Sequence, residues 1–233
     1  MDYLYETHLH TSVGSRCSVN TPEEQIRRLH RYGYTGAFVT DHFLNGNTTV
    51  PKGLSWEDSI DAFCRSYELA KVEGDRLGMD VFFGFESSYS GNDVLTYGLD
   101  RDWLKSHPEI MEMTMGQYCE FARSEGGFVV HAHPFREDWY IEEIRLIPRK
   151  VDAIEILNGN RSDFENERAA EFSRNYNLPV TAGSDLHRAQ RRLVGYASPI
   201  RFTSFCDYRD SVCNGQGRLV TVFDGREQNL LCE

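Results

Sequence analysis

The chain has 233 residues, of which 40% are apolar and 26% are charged, and its formal net charge is −11. This length and composition exclude wholesale disorder and allow a sizeable core that needs no disulfide bonds. The negative charge disfavours broad binding to the phosphate backbone of nucleic acids, and no apolar run is long enough to cross a bilayer. We expect a single domain over residues 1–233.

Short apolar runs alternate with helical patterns along the chain. Strands are predicted over residues 3–8, 35–40, 81–85, 94–97, 128–130, 152–157, 179–182 and 218–223. Helices are predicted over residues 55–77 and 164–177, and also after capping-box sequences at Thr21 and Thr114. Strands that alternate with helices indicate βαβ units and a parallel sheet. The number of these units favours a small α/β barrel over an open sheet.

Five polar segments follow directly on predicted strands and carry most of the histidines. They contain His8 and His10, Asp41 and His42, Glu86, His131 and His133, and Asp185 and His187. In an extended segment, residues two apart point to the same face, so each such pair can reach one site. Because the chemistry of barrel enzymes collects at the C-terminal strand ends, a barrel would bring these segments together. Imidazoles and carboxylates in one place predict a site for divalent metal ions.

The segments HLHTS, TDH, GFE, HAHP and GSDLH occur in this order. They resemble the motifs of the polymerase-and-histidinol-phosphatase (PHP) family of metal-dependent phosphoesterases, and the match extends from His8 to about Tyr196. The resemblance implies a distorted TIM-like (β/α)7 barrel of the PHP type. It also implies two or three divalent ions, zinc, manganese or iron, at the C-terminal rim, and the hydrolysis of phosphate esters.

The resemblance further implies a set of metal ligands. A first ion would be bound by His8, His10, Glu86 and Asp185, a second by Glu86 and His133, and a third by His42 and His187. Glu155 and Asn158, in the segment IEILN, match a recurrent strand-end pattern of the family. We interpret Asn158 as a residue that supports the ligands or contacts the substrate.

Two positions depart from the family pattern, and one histidine is additional. Shortly after the HxH motif, where members often carry Asp or His, this chain has Cys17. Its thiolate suits zinc, and the alternative is a small buried thiol. After Glu86, where the family usually has a histidine, the nearest match is Asp93, either a ligand of the second ion or a solvated loop residue. His131 is additional to the common AHP pattern, and it either binds metal or orients the substrate.

The resemblance implies hydrolysis by a metal-activated hydroxide at a di- or trinuclear site. We assign catalytic roles to Asp185, His187 and His131, with the two histidines as candidates to protonate the leaving group. Guanidinium groups can grip phosphate in two places, and five of them lie near the motif segments. They are Arg16, Arg161, Arg188, Arg191 and Arg192. The substrate-binding candidates are Asn158, Arg16, Arg188 and Arg191.

We predict a phosphatase that acts on a small phosphomonoester. One alternative is an exonuclease or phosphodiesterase acting on short oligonucleotides, which the acidic charge disfavours. Another is a non-catalytic metal-binding sensor of the same fold, which the retention of the other ligands disfavours. The six scattered cysteines without a CxxC pair, and the absence of a visible signal peptide, favour a reduced cytoplasmic protein without a membrane partner. The sequence does not indicate the oligomeric state.

Overall fold

The computed structural model describes residues 2–188 and 192–225. Both predicted capping boxes are present, so that Thr21 and Thr114 each cap a helix through the backbone N–H three residues later. The elements in chain order are β1 (Tyr3–Leu9), α1 (Pro22–Arg31), β2 (Gly36–Val39), α2 (Trp56–Leu77), β3 (Asp80–Tyr89), β4 (Asn92–Tyr97), α3 (Arg101–Ser106), a 3₁₀ helix (Pro108–Glu112), α4 (Met115–Ser124), β5 (Phe128–Ala132), β6 (Ala153–Asn158), α5 (Asp163–Tyr176), β7 (Val180–Gly183), β8 (Arg192–Ser198), α6 (Phe205–Cys213) and β9 (Arg218–Asp224).

The described strands form one sheet in the order β7-β6-β5-β4-β3-β2-β1-β8-β9. The sheet curls back on itself, because Leu186, just after β7, forms a parallel bridge with Leu9 at the end of β1. Here the His10 N–H donates to the carbonyl of Leu186 at 3.1 Å, and the Leu186 N–H donates to the carbonyl of His8 at 3.2 Å. Strands β1 to β7 therefore make a nearly closed barrel, which confirms the predicted distorted α/β barrel.

The distortion of the barrel lies at β4. This strand runs antiparallel to both of its neighbours, β3 and β5, whereas the other pairings between consecutive strands from β1 to β7 are parallel. A two-residue turn at Ser90 and Gly91, both with positive φ, joins β3 directly to β4. No helix separates these two strands, so the β/α alternation is interrupted here.

Alternate positions along the strands pack into different apolar clusters. On β5, Val129 belongs to the cluster that contains residues of α2, α4 and α5, while Val130 and Ala132 belong to the cluster that contains residues of α6. This alternation follows from the two-residue period of an extended strand. None of the described helices is both long enough and apolar enough to span a bilayer.

Candidate metal centre

Imidazoles and carboxylates from five strands, or from the segments that directly follow them, converge at one rim of the barrel. Three groups of donors, each with its ligand atoms within 4.8 Å of one another, lie in the described part of the chain. The groups are His8, Glu86 and His133; His8, His10 and Asp185; and His10, His42 and His187. Except for His187, which is partly exposed, these side chains are buried. The structure thus brings together seven of the nine residues predicted as ligands.

Glu86 lies at the centre of the cluster. Its Oε2 is 2.7 Å from His42 Nδ1 and 3.4 Å from His10 Nε2. Its Oε1 is 3.2 Å from His133 Nε2 and 3.4 Å from His8 Nε2. A carboxylate with imidazoles facing both of its oxygens is placed to bridge two cations.

Three imidazoles are each held at Nδ1 by another group of the protein. His8 Nδ1 lies 3.0 Å from Glu155 Oε1, His10 Nδ1 lies 3.1 Å from Ser15 Oγ, and His187 Nδ1 lies 2.9 Å from the carbonyl oxygen of Asp185. When Nδ1–H donates, Nε2 of a neutral imidazole carries the lone pair. The Nε2 atoms of His8 and His10 lie only 3.0 Å apart. Both lone pairs therefore point to one place, as ligands of one ion would.

The carboxylate of Glu155 organises the wall behind the cluster. Besides its contact with His8, it accepts hydrogen bonds at Oε2 from the His133 backbone N–H at 3.1 Å and from Asn158 Nδ2 at 2.8 Å. Glu6 on β1 is a second buried carboxylate that positions residues of the cluster. Its Oε1 accepts hydrogen bonds from the backbone N–H groups of His8, at 2.9 Å, and Ser184, at 2.8 Å. Glu6 was not predicted from the sequence, although it lies two residues before His8 on the same strand face.

The TDH motif supplies a third positioning carboxylate, Asp41, in addition to the candidate ligand His42. Asp41 is buried and accepts hydrogen bonds from the Thr11 N–H and the Ser15 hydroxyl, both at 2.7 Å. The Ser15 hydroxyl lies beside His10 Nδ1 and accepts from the His42 N–H at 3.0 Å. Asp41 therefore acts on the imidazoles through Ser15, a residue that sequence patterns did not identify.

Several buried polar atoms of the cluster make no hydrogen bond within the described residues. They are His42 Nδ1, Glu86 Oε2, Asp93 Oδ1 and His133 Nδ1. His42 Nδ1 and Glu86 Oε2 lie close together but outside hydrogen-bond geometry. Unsatisfied buried groups of this kind cost about 1–3 kcal/mol each, which a bound cation would offset. The donor set of imidazoles and carboxylates therefore fits divalent metal ions.

The cluster holds two of its carboxylates, Glu86 and Asp185, in the ionised form that binds metal. Burial raises the pKa of Glu86, but His42 and His8 lower it well below the usual range. Burial likewise raises the pKa of Asp185, and His8 lowers it well below the usual range. Burial lowers the pKa of His10 well below its ordinary value, so this imidazole is neutral. Ionised carboxylates and a neutral imidazole are the forms that metal ions require.

A cleft of about 900 Å³ opens over the cluster. Its lining includes ligand-type residues together with Arg136, Tyr140, Asn160 and Arg161. Arg136 and Tyr140 were not predicted from the sequence to line a site, although they closely follow the HAHP motif. Two residues of the cluster, His133 and Asp185, adopt positive φ angles of 27° and 52°. Non-glycine residues rarely adopt this conformation, and such strain concentrates at functional sites.

The two positions that depart from the family pattern both reach the cleft. Asp93 is 1% exposed, so it is not a solvated loop residue. Its Oδ2 lies 3.9 Å from His133 Nε2 and accepts a hydrogen bond from Arg136 at 3.0 Å. Cys17 is partly exposed and lines the cleft, with its Sγ 3.1 Å from His187 Nε2. Both residues are therefore placed beside groups that the sequence assigned to metal.

The structure does not bring His131 to the cleft. On β5 it is paired with Val94 of β4 and Ile154 of β6, which belong to the apolar cluster on the helices. Neither ring nitrogen has a hydrogen-bond partner in the described residues, and burial lowers the pKa of His131 to about 3. The expected shared face with His133 is lost, because the positive φ of His133 takes that residue out of the strand conformation.

The residues predicted to contact substrate differ in whether they line the cleft. Asn158 is fully buried behind Glu155 and does not line the cleft. Arg16 is exposed, donates to the carbonyl of Thr48 at 2.6 Å and is not part of the lining. Arg188 does line the cleft. Arg191 lies outside the described residues.

The similarity of the chain to known proteins lies mainly in its fold. A family model described as PHP-associated matches residues 163–197, and no curated protein matches the chain. A solved two-domain protein of Bacteroides vulgatus, which contains a predicted PHP-like metal-dependent phosphoesterase, matches 94% of the chain with a TM-score of 0.71 and 15% identity. The chain spans 65% of the length of that structure.

Two further solved structures share the fold. A candidate metal-dependent phosphoesterase of Bifidobacterium adolescentis matches 90% of the chain and 95% of its own length, with a TM-score of 0.58 and 13% identity. An amidohydrolase of Chromobacterium violaceum, with sulfate bound and no metal, matches 95% of the chain and 99% of its own length, with a TM-score of 0.59 and 15% identity.

Proposed function

We propose that this chain is a metal-dependent phosphoesterase of the PHP family that hydrolyses a small phosphomonoester. The PHP-associated match over residues 163–197 and the fold shared with PHP-like structures support the family relationship predicted from the sequence. One observation carries the proposal. The Nε2 atoms of His8 and His10 converge with one oxygen of Asp185, at 3.5 and 3.3 Å, and with the two oxygens of Glu86, each at 3.4 Å.

The proposed centre holds two ions, with Glu86 between them. His8, His10 and Asp185 would complete the first site, and His133 and Asp93 the second. When bound, divalent ions supply Lewis-acid activation of water and neutralise charge on a phosphoryl group. The supporting carboxylates Glu155 and Glu6 keep the ligands in place, as second-layer partners do in metal sites generally.

Positive side chains on the cleft wall favour an anionic substrate. The Nε groups of Arg136 and Arg161 are buried and have no acceptor in the described residues. Guanidinium donors left without an acceptor beside a metal-type cluster suit phosphate oxygens. Arg192, by contrast, is held by Asp163 at 2.6 Å and by the carbonyl of Arg161 at 2.7 Å, so it stabilises the wall.

The test is turnover of an aryl phosphate by protein stripped of metal and then supplied with Mn(II) or Zn(II). We expect turnover only with metal, and its loss in Asp185→Asn and His10→Ala with the circular dichroism spectrum retained. Glu167→Gln, an acid-to-amide change on an exposed face of α5, serves as the matched control. Full turnover in either cluster variant would refute the proposal.

The same assay separates the alternatives. Faster hydrolysis of an aryl phosphodiester than of the monoester would favour the exonuclease function and overturn the proposed substrate class. Bound metal without hydrolysis of either ester, or of a panel of cellular phosphomonoesters and short oligonucleotides, would favour a sensor and overturn the proposed activity.

A further inference from the structure

The cleft over the cluster is lined almost entirely by polar residues. Among the described residues that line it, none has an aliphatic hydrocarbon side chain, and Tyr140 is the only aromatic residue besides the histidines. Sites for small molecules are usually lined mainly by hydrophobic and aromatic side chains. An apolar leaving group would therefore find few partners in this cleft, whereas amide and hydroxyl groups are plentiful.

Asparagine and serine residues line the cleft on the side of β2 and β3. Asn45 and Asn47 lie in the segment after β2. Ser88 lies near the end of β3, and Ser90 lies in the turn that follows it. The Ser88 N–H donates to Asn45 Oδ1 at 3.2 Å, which joins the two segments. Short polar side chains thus face the cleft from neighbouring strand ends.

The segment that carries Asn47 is fastened to the loop after β1. The Arg16 N–H donates to the carbonyl of Asn47 at 2.9 Å, and the Thr49 N–H donates to the carbonyl of Gly14 at 3.0 Å. These bonds use backbone atoms, so the exposed side-chain amide of Asn47, which lines the cleft, remains available to a ligand. A fixed backbone that presents an available amide is preorganised for binding.

Asn160 brings another amide to the cleft from a different part of the rim. It follows β6, which is separated from β2 in the sheet by β5, β4 and β3. The Asn160 N–H donates to Asn158 Oδ1 at 2.8 Å, and the exposed Asn160 side chain lines the cleft. Tyr140 is 42% exposed, and its hydroxyl accepts a hydrogen bond from Arg136. The face of an aromatic ring attracts positively polarised C–H groups, such as those of a hydroxylated carbon skeleton.

We propose that the alcohol released from the phosphomonoester is polyhydroxylated, so that the substrate is a phosphorylated sugar or polyol. The amides of Asn47 and Asn160 bind its hydroxyl groups, and Tyr140 contacts its carbon skeleton. An apolar leaving group would take water from these amides without replacing the hydrogen bonds, which disfavours its binding. The inference rests on the proposed function, because the metal-type cluster holds the phosphoryl group.

The test compares phosphomonoesters that differ in their hydroxyl groups. The panel consists of ribose 5-phosphate, glucose 6-phosphate and sorbitol 6-phosphate. The reference is cyclohexylmethyl phosphate, a primary alkyl ester with a ring and no hydroxyl groups. We expect kcat/KM for at least one panel member to exceed that of the reference by at least about 100-fold, since a site built to bind hydroxyl groups rejects an analogue that lacks them. A smaller preference for all three would overturn the inference.

Two variants test the amides themselves. Asn47→Leu and Asn160→Leu each remove one amide at nearly constant size. Each should lower kcat/KM for the preferred panel member by about tenfold, mainly through KM, and leave kcat/KM for the reference unchanged. Gln216→Leu, at an exposed position between α6 and β9, is the matched control. Equal losses with both substrates would indicate a general disturbance of the site and contradict the role of the amides.

A hydroxylated ring can belong to a free sugar phosphate or to a nucleotide, and AMP separates the two. We expect AMP to be hydrolysed no faster than ribose 5-phosphate, because the cleft offers a single tyrosine and no aliphatic side chain among its described lining residues. A higher kcat/KM for AMP would show that a base is recognised and would overturn the inference.

The outcome is distinguishable from that of the proposed function. Aryl phosphates have a good leaving group and need little recognition. Metal-dependent turnover of an aryl phosphate without the preference for the panel would therefore support the activity and refute the inference. If the metal-loaded protein hydrolyses no ester, calorimetry decides. Tighter binding of a panel member than of cyclohexylmethyl phosphate would support the recognition of hydroxyl groups and refute the activity, and equal binding would refute both.

Discussion

Replacing Glu155 by glutamine tests whether the Glu155 carboxylate determines which ring nitrogen of His8 carries the proton. Glu155 Oε1 faces His8 Nδ1, while Oε2 accepts from the His133 N–H and Asn158 Nδ2. A glutamine has one carbonyl oxygen, which is best used for the two donors at the Oε2 position. Its NH₂ group then faces His8 Nδ1, and the imidazole proton moves to Nε2. The nitrogen that should bind metal is then protonated.

The expected cost of this change is a loss of metal affinity rather than of the fold. Loss of an outer partner of a metal-binding histidine weakens metal affinity by about 10–100-fold, which corresponds to about 1.4–2.7 kcal/mol. The alternative amide orientation keeps the contact with His8 Nδ1 but turns its NH₂ group toward two other donors, the His133 N–H and Asn158 Nδ2. This orientation is therefore also unfavourable. Competition between the protein and a chromophoric chelator for zinc measures the affinity directly.

The control is Glu167→Gln, which makes the same chemical change at an exposed position of α5 and should leave zinc affinity unchanged. Circular dichroism and urea unfolding of the metal-free proteins check that Glu155→Gln is folded. If Glu155→Gln is folded and binds zinc within about twofold of the wild-type affinity, the tautomer argument is wrong, since the loss expected from such contacts is at least about tenfold.

Three further expectations follow from the packing of the site. Gly14→Ala should lower the free energy of unfolding by about 1–3 kcal/mol in urea, because a Cβ there would overlap the buried Asp41 carboxyl. Gly116→Ala on α4, where an added Cβ would meet only the end of the Lys150 side chain at 4.0 Å, should be neutral or stabilising. His131→Leu should keep metal-dependent turnover. It should also gain stability over the wild type by about 1.4 kcal/mol per pH unit from pH 6.5 toward 3, because the unfolded histidine binds a proton there and the buried one does not; equal pH dependence in urea would contradict this. Metal at about 100 times its Kd should stabilise the fold by about 2.7 kcal/mol in thermal unfolding, and EDTA should remove this gain.

The parts of the fold that local sequence signals specify were predictable. The capping boxes at Thr21 and Thr114 depend on neighbouring residues alone, and so do the short runs of strand-forming apolar residues. The structure has helices at the capping boxes and strands at these runs. Strand β8 was missed. It contains Gly195, whose Cβ would overlap the backbone oxygen of Tyr5, so this glycine reflects packing against β1 and interrupts the pattern of a strand. Strand direction at β4 depends on the two-residue turn before it, and the short apolar run alone does not reveal it.

The site shows the same division between local and long-range information. The candidate ligands His8, His10 and Asp185 could be predicted because they lie in short motifs at strand ends. The supporting residues were missed or misjudged, since Ser15 and Arg136 acquire their roles from groups that are distant in the sequence. His131 had the expected spacing, but the backbone turn at His133 decided its position.

The arrangement of charges favours a cation among these residues. With Nδ1–H of His8 and His10 donating outward, two nitrogen lone pairs face each other at 3.0 Å, and the Glu86 and Asp185 carboxylates add negative charge beside them. Lone pairs and carboxylates repel one another in a buried place unless a positive charge lies between them. Burial disfavours a protonated His8, yet Glu155, Asp185 and Glu86 raise its pKa well above the ordinary value. A proton can thus occupy the place that a metal ion would fill, so the two compete, and metal binding must release that proton.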